Sequence, residues 1–554
     1  MSENRFEQHA EKLSRDELLE YYKDIDDGTI LKKLTGRGAK LLSAPRGAGK
    51  SMLFKKTYYK CLDSIDHPLP VYTNYSQYFR VEDAGHNRPT ALITFRRWVL
   101  SKIILSSINS TDYLNIAALS ILEQFEINPT QLTRFVESLE GGTFDETEIE
   151  LSPDKTCEIL LAIAKMANRK RVILLLDDAA HAFTPEFQRE FFDVFRGLNK
   201  FLVSPKAAVY PGVTSYGARF NVGHDAEIIP VGLEPENQSY LEHMIGLLEK
   251  RVLPEELQLL KKQDGLIELL AFAASGIPRA FILMCSYYID AETRNPTKGA
   301  SQNGWEAINE WNQYIETLYE SISIKVPRFK NYIQCGSELY RYFLEAIKTY
   351  NYKNNKHSIY LAVEEKNSAR YDMLIQFMEY AGILFRRKQI SQGESGLFNR
   401  YLIHLGLQIQ HKTLIKSRGR SYRQLVEFIQ RPDNVNHRIS YLSLLSGKLD
   451  ERCSLELPPC PVCRTPRLNG EAKYCMTCGS RLSDTSIYSE IIKQPINVLK
   501  ITQNKKEALL RSGYFNTLAD LLPENAIEQL YRIDGIGRHW ANEIWQQAQE
   551  LTLA

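Results

Sequence analysis

Ala39-Lys40-Leu41-Leu42-Ser43-Ala44-Pro45-Arg46-Gly47-Ala48-Gly49-Lys50-Ser51-Met52-Leu53-Phe54-Lys55-Lys56 is the stretch on which the rest of the chain turns. A short apolar run at Leu41 and Leu42 predicts a buried strand. It stops at a Pro/Gly-rich turn and resumes as a helix near Lys50. A phosphate-binding loop needs this strand–loop–helix context. Glycines let backbone N–H groups from Arg46 to Met52 converge on a phosphate, and the helix N-terminus adds partial positive charge. Lys50 would reach the β- and γ-phosphates, and the Ser51 hydroxyl would ligate Mg²⁺. Ala44 stands where the motif has its first Gly, whereas Gly49-Lys50-Ser51 is intact. The bland alternative, a chance Gly-rich turn, leaves the flanking strand and helix unexplained.

Working outward, Arg171-Val172-Ile173-Leu174-Leu175-Leu176-Asp177-Asp178 holds five consecutive apolar residues ending in two acids. That pattern predicts a buried parallel strand presenting carboxylates at its carboxyl end. Asp177 would hold the Mg²⁺ shell, and Asp178 would act on the attacking water. Further strands are expected over 68–75, 206–213 and 227–231, with a helix over 90–107. Strands interleaved with helices give an open parallel sheet that binds ligands at the strands' carboxyl ends. Residues 137–154 hold seven acids, no bases and a Gly-Gly pair, read as a solvated loop. From Glu234 to about Leu318 the pattern is helical.

The 554 residues suggest about four domains. The polar start, Met1 to Lys12, is not a signal peptide. No run of about 18 uninterrupted apolar residues exists, so no membrane span is expected and a cytoplasmic location is. The net charge of +2 hides an asymmetry. Residues 1–324 carry a net −9, residues 325–425 carry 18 Lys+Arg against 7 Asp+Glu for a net +11, and the remainder is neutral. A basic block of this size points to a polyanion. Within it, helical patterns over 337–349 and 369–381 precede apolar runs at 382–390 and 397–405 around a Gly-containing turn, which suits a winged helix. Arg386, Arg387, Lys388 and Arg400 lie on the expected wing, and Lys412, Lys416, Arg418 and Arg420 follow. These groups would neutralise DNA phosphates, or form a solvated face of a protein-binding module.

Of nine cysteines, Cys61, Cys157, Cys285 and Cys335 are isolated, and Cys453 stands near four arranged as two pairs. Cys460-Pro461-Val462-Cys463 and Cys475-Met476-Thr477-Cys478 are separated by eleven residues. Two such knuckles offer four thiolates to a structural Zn²⁺ with no open position. A redox pair of dithiols is the alternative.

These residues carry a family likeness. Ala44–Ser51, Leu174–Asp178, Thr214 after the fourth strand and Gly276–Arg279 in the helical region resemble the AAA+ ATPases, and within them the origin-recognition/initiator clade. The resemblance covers about residues 20–410. It implies ATP and Mg²⁺ as ligands, Thr214 as a sensor contacting the γ-phosphate or water, and Arg279 as the lid arginine that reports nucleotide state. It also implies a homo-oligomer with an arginine finger in trans, for which Arg219 is the candidate. Asp178 replaces the usual Glu, so slow hydrolysis is expected. Cys460–Cys478 resembles a zinc ribbon. Leu509–Leu522 and Leu530–Arg538 resemble a tandem helix-hairpin-helix domain, in which Gly535, Gly537 and Arg538 would meet a DNA phosphate or serve protein contacts.

The expected fold class is multidomain α/β. A P-loop AAA+ core (1–232) leads to a helical lid (233–320) and a winged helix (321–425). Linker helices (426–455), a zinc ribbon (456–484) and a helix-hairpin-helix domain (485–554) follow. The expected function is an ATPase that binds DNA in a nucleotide-controlled way. The unusual appendages direct it toward antiphage defence or mobile-element control. The rival is an ATP-gated scaffold that hydrolyses poorly and recruits a protein effector.

Overall fold

In the computed structural model the described residues are all but 1–4, 8–9, 86–87, 89, 146, 179–184, 212, 295–299, 392–395, 415–420, 434–435, 468–471, 473, 481, 483–486, 500, 524 and 553–554. The side chains of a few helical residues, Arg538 among them, also lie outside the description.

Five parallel strands carry the half that bears the glycine-rich loop: β1 (Lys40–Ser43), β2 (Leu69–Asn74), β3 (Val172–Asp177), β4 (Val203–Val209) and β5 (Glu227–Pro230). Their order is β2-β3-β4-β1-β5, so β4 separates the loop-bearing β1 from the acid-bearing β3. Every residue of β3 and β4 is buried, as strands covered on both faces must be. The pleat sorts them. Leu41, Leu174, Leu176 and Ala207 face one core with Val99, Ile103 and Ile159. Leu42, Ile173, Leu175 and Ala208 face the other with Leu53, Phe54 and Leu34. Lys206 sits inside β4, where its Nζ donates to the carbonyls of Gly36 and Gly38. Burial pulls its pKa down to about 7.

The helix expected over 90–107 runs further, over Ala91–Tyr113. The acidic stretch is less solvated than its composition implies. Its first residues finish the helix Pro129–Glu140, Glu140 accepts from Trp98 and Lys102, and Ile149 and Leu151 are buried. Among the described residues, five helices occupy the stretch expected as the lid: Tyr240–Glu249, Pro254–Lys261, Leu266–Ala273, Pro278–Arg294 and Ala300–Lys325.

A second sheet is built from β6 (Tyr360–Glu364), β7 (Leu384–Arg386), β8 (Ile390–Ser391), β9 (Leu397–Ile403) and β10 (His437–Ile439). Its path is β10-β6-β9-β7, with β8 on β9. The helix Ala369–Ala381 packs beneath it, ended by Gly382 in the left-handed region (φ 75°). β10 arises in a stretch read as connecting helices and pairs parallel to β6. Beyond the paired cysteines, the helices Gln503–Ser512, Ala526–Tyr531 and Arg538–Thr552 share a separate core around Leu509, Phe515, Leu530 and Ile544. Among the described residues, no helix is long and apolar enough to cross a membrane.

Candidate nucleotide site and anion-binding surfaces

The loop after β1 turns on two glycines in the left-handed region, Gly47 (φ 84°) and Gly49 (φ 92°). Gly49 precedes the helix Lys50–Leu62, leaving that helix's first N–H groups to an anion. Gly47 is also needed for space. A Cβ there would lie 3.1 Å from both Arg279 Cβ and Ile277 Cγ2 of the lid. The Arg279 amide lies 3.4 Å from the Gly47 carbonyl.

Lys50 is folded back into the loop. Its Nζ donates to Ala44 O at 2.8 Å and Pro45 O at 3.2 Å, and rests 3.7 Å from the centroid of the Tyr210 ring. Burial lowers its pKa to about 7, against the opposing charges of Asp178 and Asp177. Asp177 is buried; Tyr72 donates to its Oδ2 at 3.0 Å, and the Ser51 hydroxyl bonds the same carboxylate. Asp178 holds a left-handed backbone (φ 54°), which for a non-glycine residue is a local strain. Tyr210 donates to its Oδ1 at 3.2 Å and Asn74 to its Oδ2 at 3.4 Å. Both carboxyls are raised above the usual range by burial, and Asp177 also by its like-charged neighbour. A site that holds two stacked acids beside a Ser hydroxyl is suited to a divalent cation.

Arg46–Leu53, Asp178, Tyr210 and Arg279 line a cavity of about 180 Å³. Its other wall is Tyr22, Ile25, His243 and Leu247, from the N-terminal segment and the lid. The structure thus brings together Arg46, Gly47, Ala48, Gly49, Lys50, Ser51, Met52, Asp178 and Arg279, with Asp177 joined through Ser51. Thr214 takes a different place. Its hydroxyl accepts from Tyr210 N at 3.2 Å and donates to Tyr210 O at 3.0 Å, closing the end of β4. Tyr210, not Thr214, reaches Asp178. Arg219 stands off the cavity with its side chain 78% exposed and Asp193 3.9 Å away.

Sequence reasoning missed Tyr72, Asn74 and Tyr210. All three lie at carboxyl ends of strands beside β3 or β1, so the strand order, had it been known, would have pointed to them. It missed Tyr380 entirely. This residue of the helix Ala369–Ala381 lies close enough to Arg46 to feel its charge and packs its ring 5.5 Å from that of Tyr210.

The expected wing is not a free basic surface. Arg387 forms a two-point pair with Glu236, at 2.8 and 3.1 Å. Arg386 lies 3.5 Å from Glu379 and 4.0 Å from Asp372, and Arg400 stacks 3.7 Å over the Tyr360 ring. Of the four named wing residues, Lys388 and Arg386 are exposed, Arg386 beside its two acids. The physical reason is proximity. Glu234 and Glu236 of the loop before the lid reach Arg387, Glu379 and Asp372 of the preceding helix reach Arg386, and charge counting along a sequence is blind to both. Lys412 is exposed too, whereas Lys416, Arg418 and Arg420 lie outside the described residues.

Cys460, Cys463, Cys475 and Cys478 converge with all four Sγ atoms within 4.8 Å of one another. Cys460–Cys478 and Cys463–Cys475 are 3.6 and 3.5 Å apart. Tetrahedral ligands at 2.3 Å from zinc would stand about 3.8 Å apart, so the set fits that ion. The two knuckles match. Arg464 N bonds Cys460 O and Gly479 N bonds Cys475 O, with a left-handed residue after each pair, Arg464 (φ 61°) and Gly479 (φ 69°). Near the C-terminus Gly535 is left-handed (φ 87°), and among the described residues nothing lies within 4 Å of a Cβ at Gly535 or Gly537.

No family model matches the chain, and no curated protein matches it. Two solved structures are similar at low superposition. The Aeropyrum pernix Orc1 protein in complex with DNA is 14% identical, covers 72% of this chain and 96% of its own, with a TM-score of 0.32. Cdc6p from Pyrobaculum aerophilum is 14% identical, covers 78% and 99%, with a TM-score of 0.28. At these scores the likeness carries no weight of its own; the loop and its acids do.

Proposed function

We propose that the chain is an ATP-binding ATPase of the AAA+ type whose nucleotide state controls its hold on duplex DNA. The observation that carries the ATP half is the meeting of Lys50, Ser51 and Asp178 at one cavity between loop and lid, with Asp177 behind Ser51. Lys50 would leave the Ala44 and Pro45 carbonyls for the phosphates, gaining a charge-assisted contact. Ser51 and Asp177 would hold Mg²⁺. Bound there, that ion neutralises charge developing on the phosphates. Asp178, fixed by Tyr210 and Asn74, would orient the attacking water. Arg279 would report phosphate occupancy to the lid through its amide contact with Gly47. The exposure of Arg219 suits a residue acting on a neighbouring subunit's nucleotide. The four cysteines would hold a structural zinc, and the Gly535–Gly537 turn would extend the DNA footprint.

ATP turnover by wild type, Lys50→Ala and Asp178→Asn, each with and without duplex DNA, tests the reading. DNA-stimulated hydrolysis lost in both variants supports it. One observation favours the rival scaffold: both oxygens of Asp178 are already engaged, and aspartate is one methylene shorter than glutamate. ATP binding without turnover in any condition would establish that rival.

A further inference from the structure

Arg387 has left the wing for the lid. Its guanidinium grips both carboxylate oxygens of Glu236, with Glu234 3.6 Å away, and its side chain is only 12% exposed. The Tyr360 hydroxyl of β6 donates to the same carboxylate at 2.9 Å. Arg400 stacks on that Tyr360 ring, and its carbonyl accepts from the Arg387 amide at 2.8 Å. Arg400 Nε is buried without a hydrogen-bond partner among the described residues. One arginine and a phenol therefore hold this anion, and a second arginine, stacked on the phenol's ring, stands beside them with its Nε unsatisfied. A planar guanidinium fork with a neighbouring O–H donor recognises a phosphodiester as readily as a carboxylate.

Glu236 belongs to neither strand. It lies in the loop between β5 and the lid helix Tyr240–Glu249. Three residues earlier, the Leu233 carbonyl is pressed against Gly276, where a Cβ would come within 2.6 Å of it. Gly276 opens the segment that carries Arg279 to the nucleotide cavity. From the other side, Gly382 after the helix Ala369–Ala381 leaves room for Ile277, whose Cδ1 would be 2.9 Å from a Cβ there. The Glu236 loop, the Arg279 segment and the sheet bearing Arg387 are thus in direct contact, which gives a lid movement a path to the Glu236–Arg387 pair.

We propose that Arg387, Tyr360 and Arg400 form a binding site for a DNA backbone phosphate, and that Glu236 fills it from within the chain until the lid moves. The inference rests on the DNA reading given above and adds the site and its internal competitor. A purely structural ion pair would make the same contacts, and removing any nearby acid raises DNA affinity slightly through the long-range field; a competitor's gain is larger, about tenfold, and is lost when Arg387 is removed with it.

The test is fluorescence anisotropy with a labelled mixed-sequence DNA duplex at low and moderate salt, using the full chain. Glu236→Gln keeps the side chain's size and removes its charge. It is expected to bind the duplex about tenfold tighter, one charge-assisted contact regained. Its salt dependence should steepen by about one unit of slope. Arg387→Ala in that background should return affinity to the wild-type level or below. Glu236→Asp, which keeps the charge at shorter reach, should gain less than Gln, and it keeps the test valid if Gln melts early. Equal duplex affinity for wild type, Gln and Asp variants would overturn the competitor while leaving the DNA reading standing. No duplex binding by any of them, with fluorescent-ATP binding intact, would sink both. A gain confined to single-stranded RNA would overturn the assigned ligand.

Discussion

The loop at 44–51 and the wing at 384–403 offer the same raw material, basic side chains beside glycines, and the fold treats them in opposite ways. In the loop, the one buried lysine is parked on backbone carbonyls and an aromatic ring, weak partners that a phosphate displaces easily. On the wing, Arg386 and Arg387 are matched to carboxylates and Arg400 to a ring. A basic residue is a binding group only to the extent that its present partners are poorer than its future ones. By that measure the nucleotide end is poised and the wing is restrained.

The strongest way to break this contrast is at Lys50. Lys50→Ala should weaken ATP binding by about a hundredfold, the loss of a charge-assisted contact in a buried site, read by fluorescent-nucleotide titration. A change below threefold would mean that the lysine is a structural part of the loop. Gly276→Ala comes next. A left-handed residue (φ 89°) with a backbone oxygen in the path of its Cβ should cost about 2–3 kcal/mol, read as a lowered melting temperature. If the contrast holds, the same variant also loosens the wing, raising tryptic cleavage near Arg387.

The pH dependence of nucleotide binding sharpens the contrast further. With the empty-site pKa of Lys50 near 7 and a phosphate restoring it toward the ordinary lysine value, binding takes up a proton above pH 7. Affinity for Mg²⁺-free ATP should fall by up to about tenfold per pH unit between 7 and 9, and level off below 7 where the lysine is already charged. Calorimetry in buffers of different ionisation heat reads the proton directly; no uptake at pH 8 would show that Lys50 stays charged in the empty loop. The smallest effect belongs to Lys388. Lys388→Ala should lower duplex affinity by about threefold or less, with a salt slope about one unit shallower.

The loop was legible because its chemistry is contiguous. Gly49, Lys50 and Ser51 must be neighbours for a helix N-terminus, an ammonium and a hydroxyl to meet one phosphate. Val172–Asp177 was legible for a similar reason, since a strand buried on both faces needs an unbroken apolar run. The helical pattern expected from Glu234 to about Leu318 is present as helices from Tyr240 onward, the last of them running on to Lys325. What could not be read was partnership over distance. Glu236 and Arg387 lie 151 residues apart, and nothing local in either segment names the other. The Thr214 hydroxyl is engaged by the strand end it follows, a local bond that the residue type alone does not announce. β10 was hidden by its length, three residues with His437 and Arg438 among them, held in place by β6 rather than by propensity.

β10 also bears on where this chain can be cut. A truncation after residue 425, the apparent end of the winged module, would strip a strand from β6 and leave its backbone groups open to another molecule's edge. The segment behind it is anchored as well. Arg452 grips Glu338 through both nitrogens, Arg370 donates to the Asp450 carbonyl, and Cys453 is fully buried. A protease should therefore find its first productive site after Cys453, releasing the cysteine knuckles and terminal helices together, and a recombinant fragment ending near residue 455 should stay soluble where one ending at 425 aggregates.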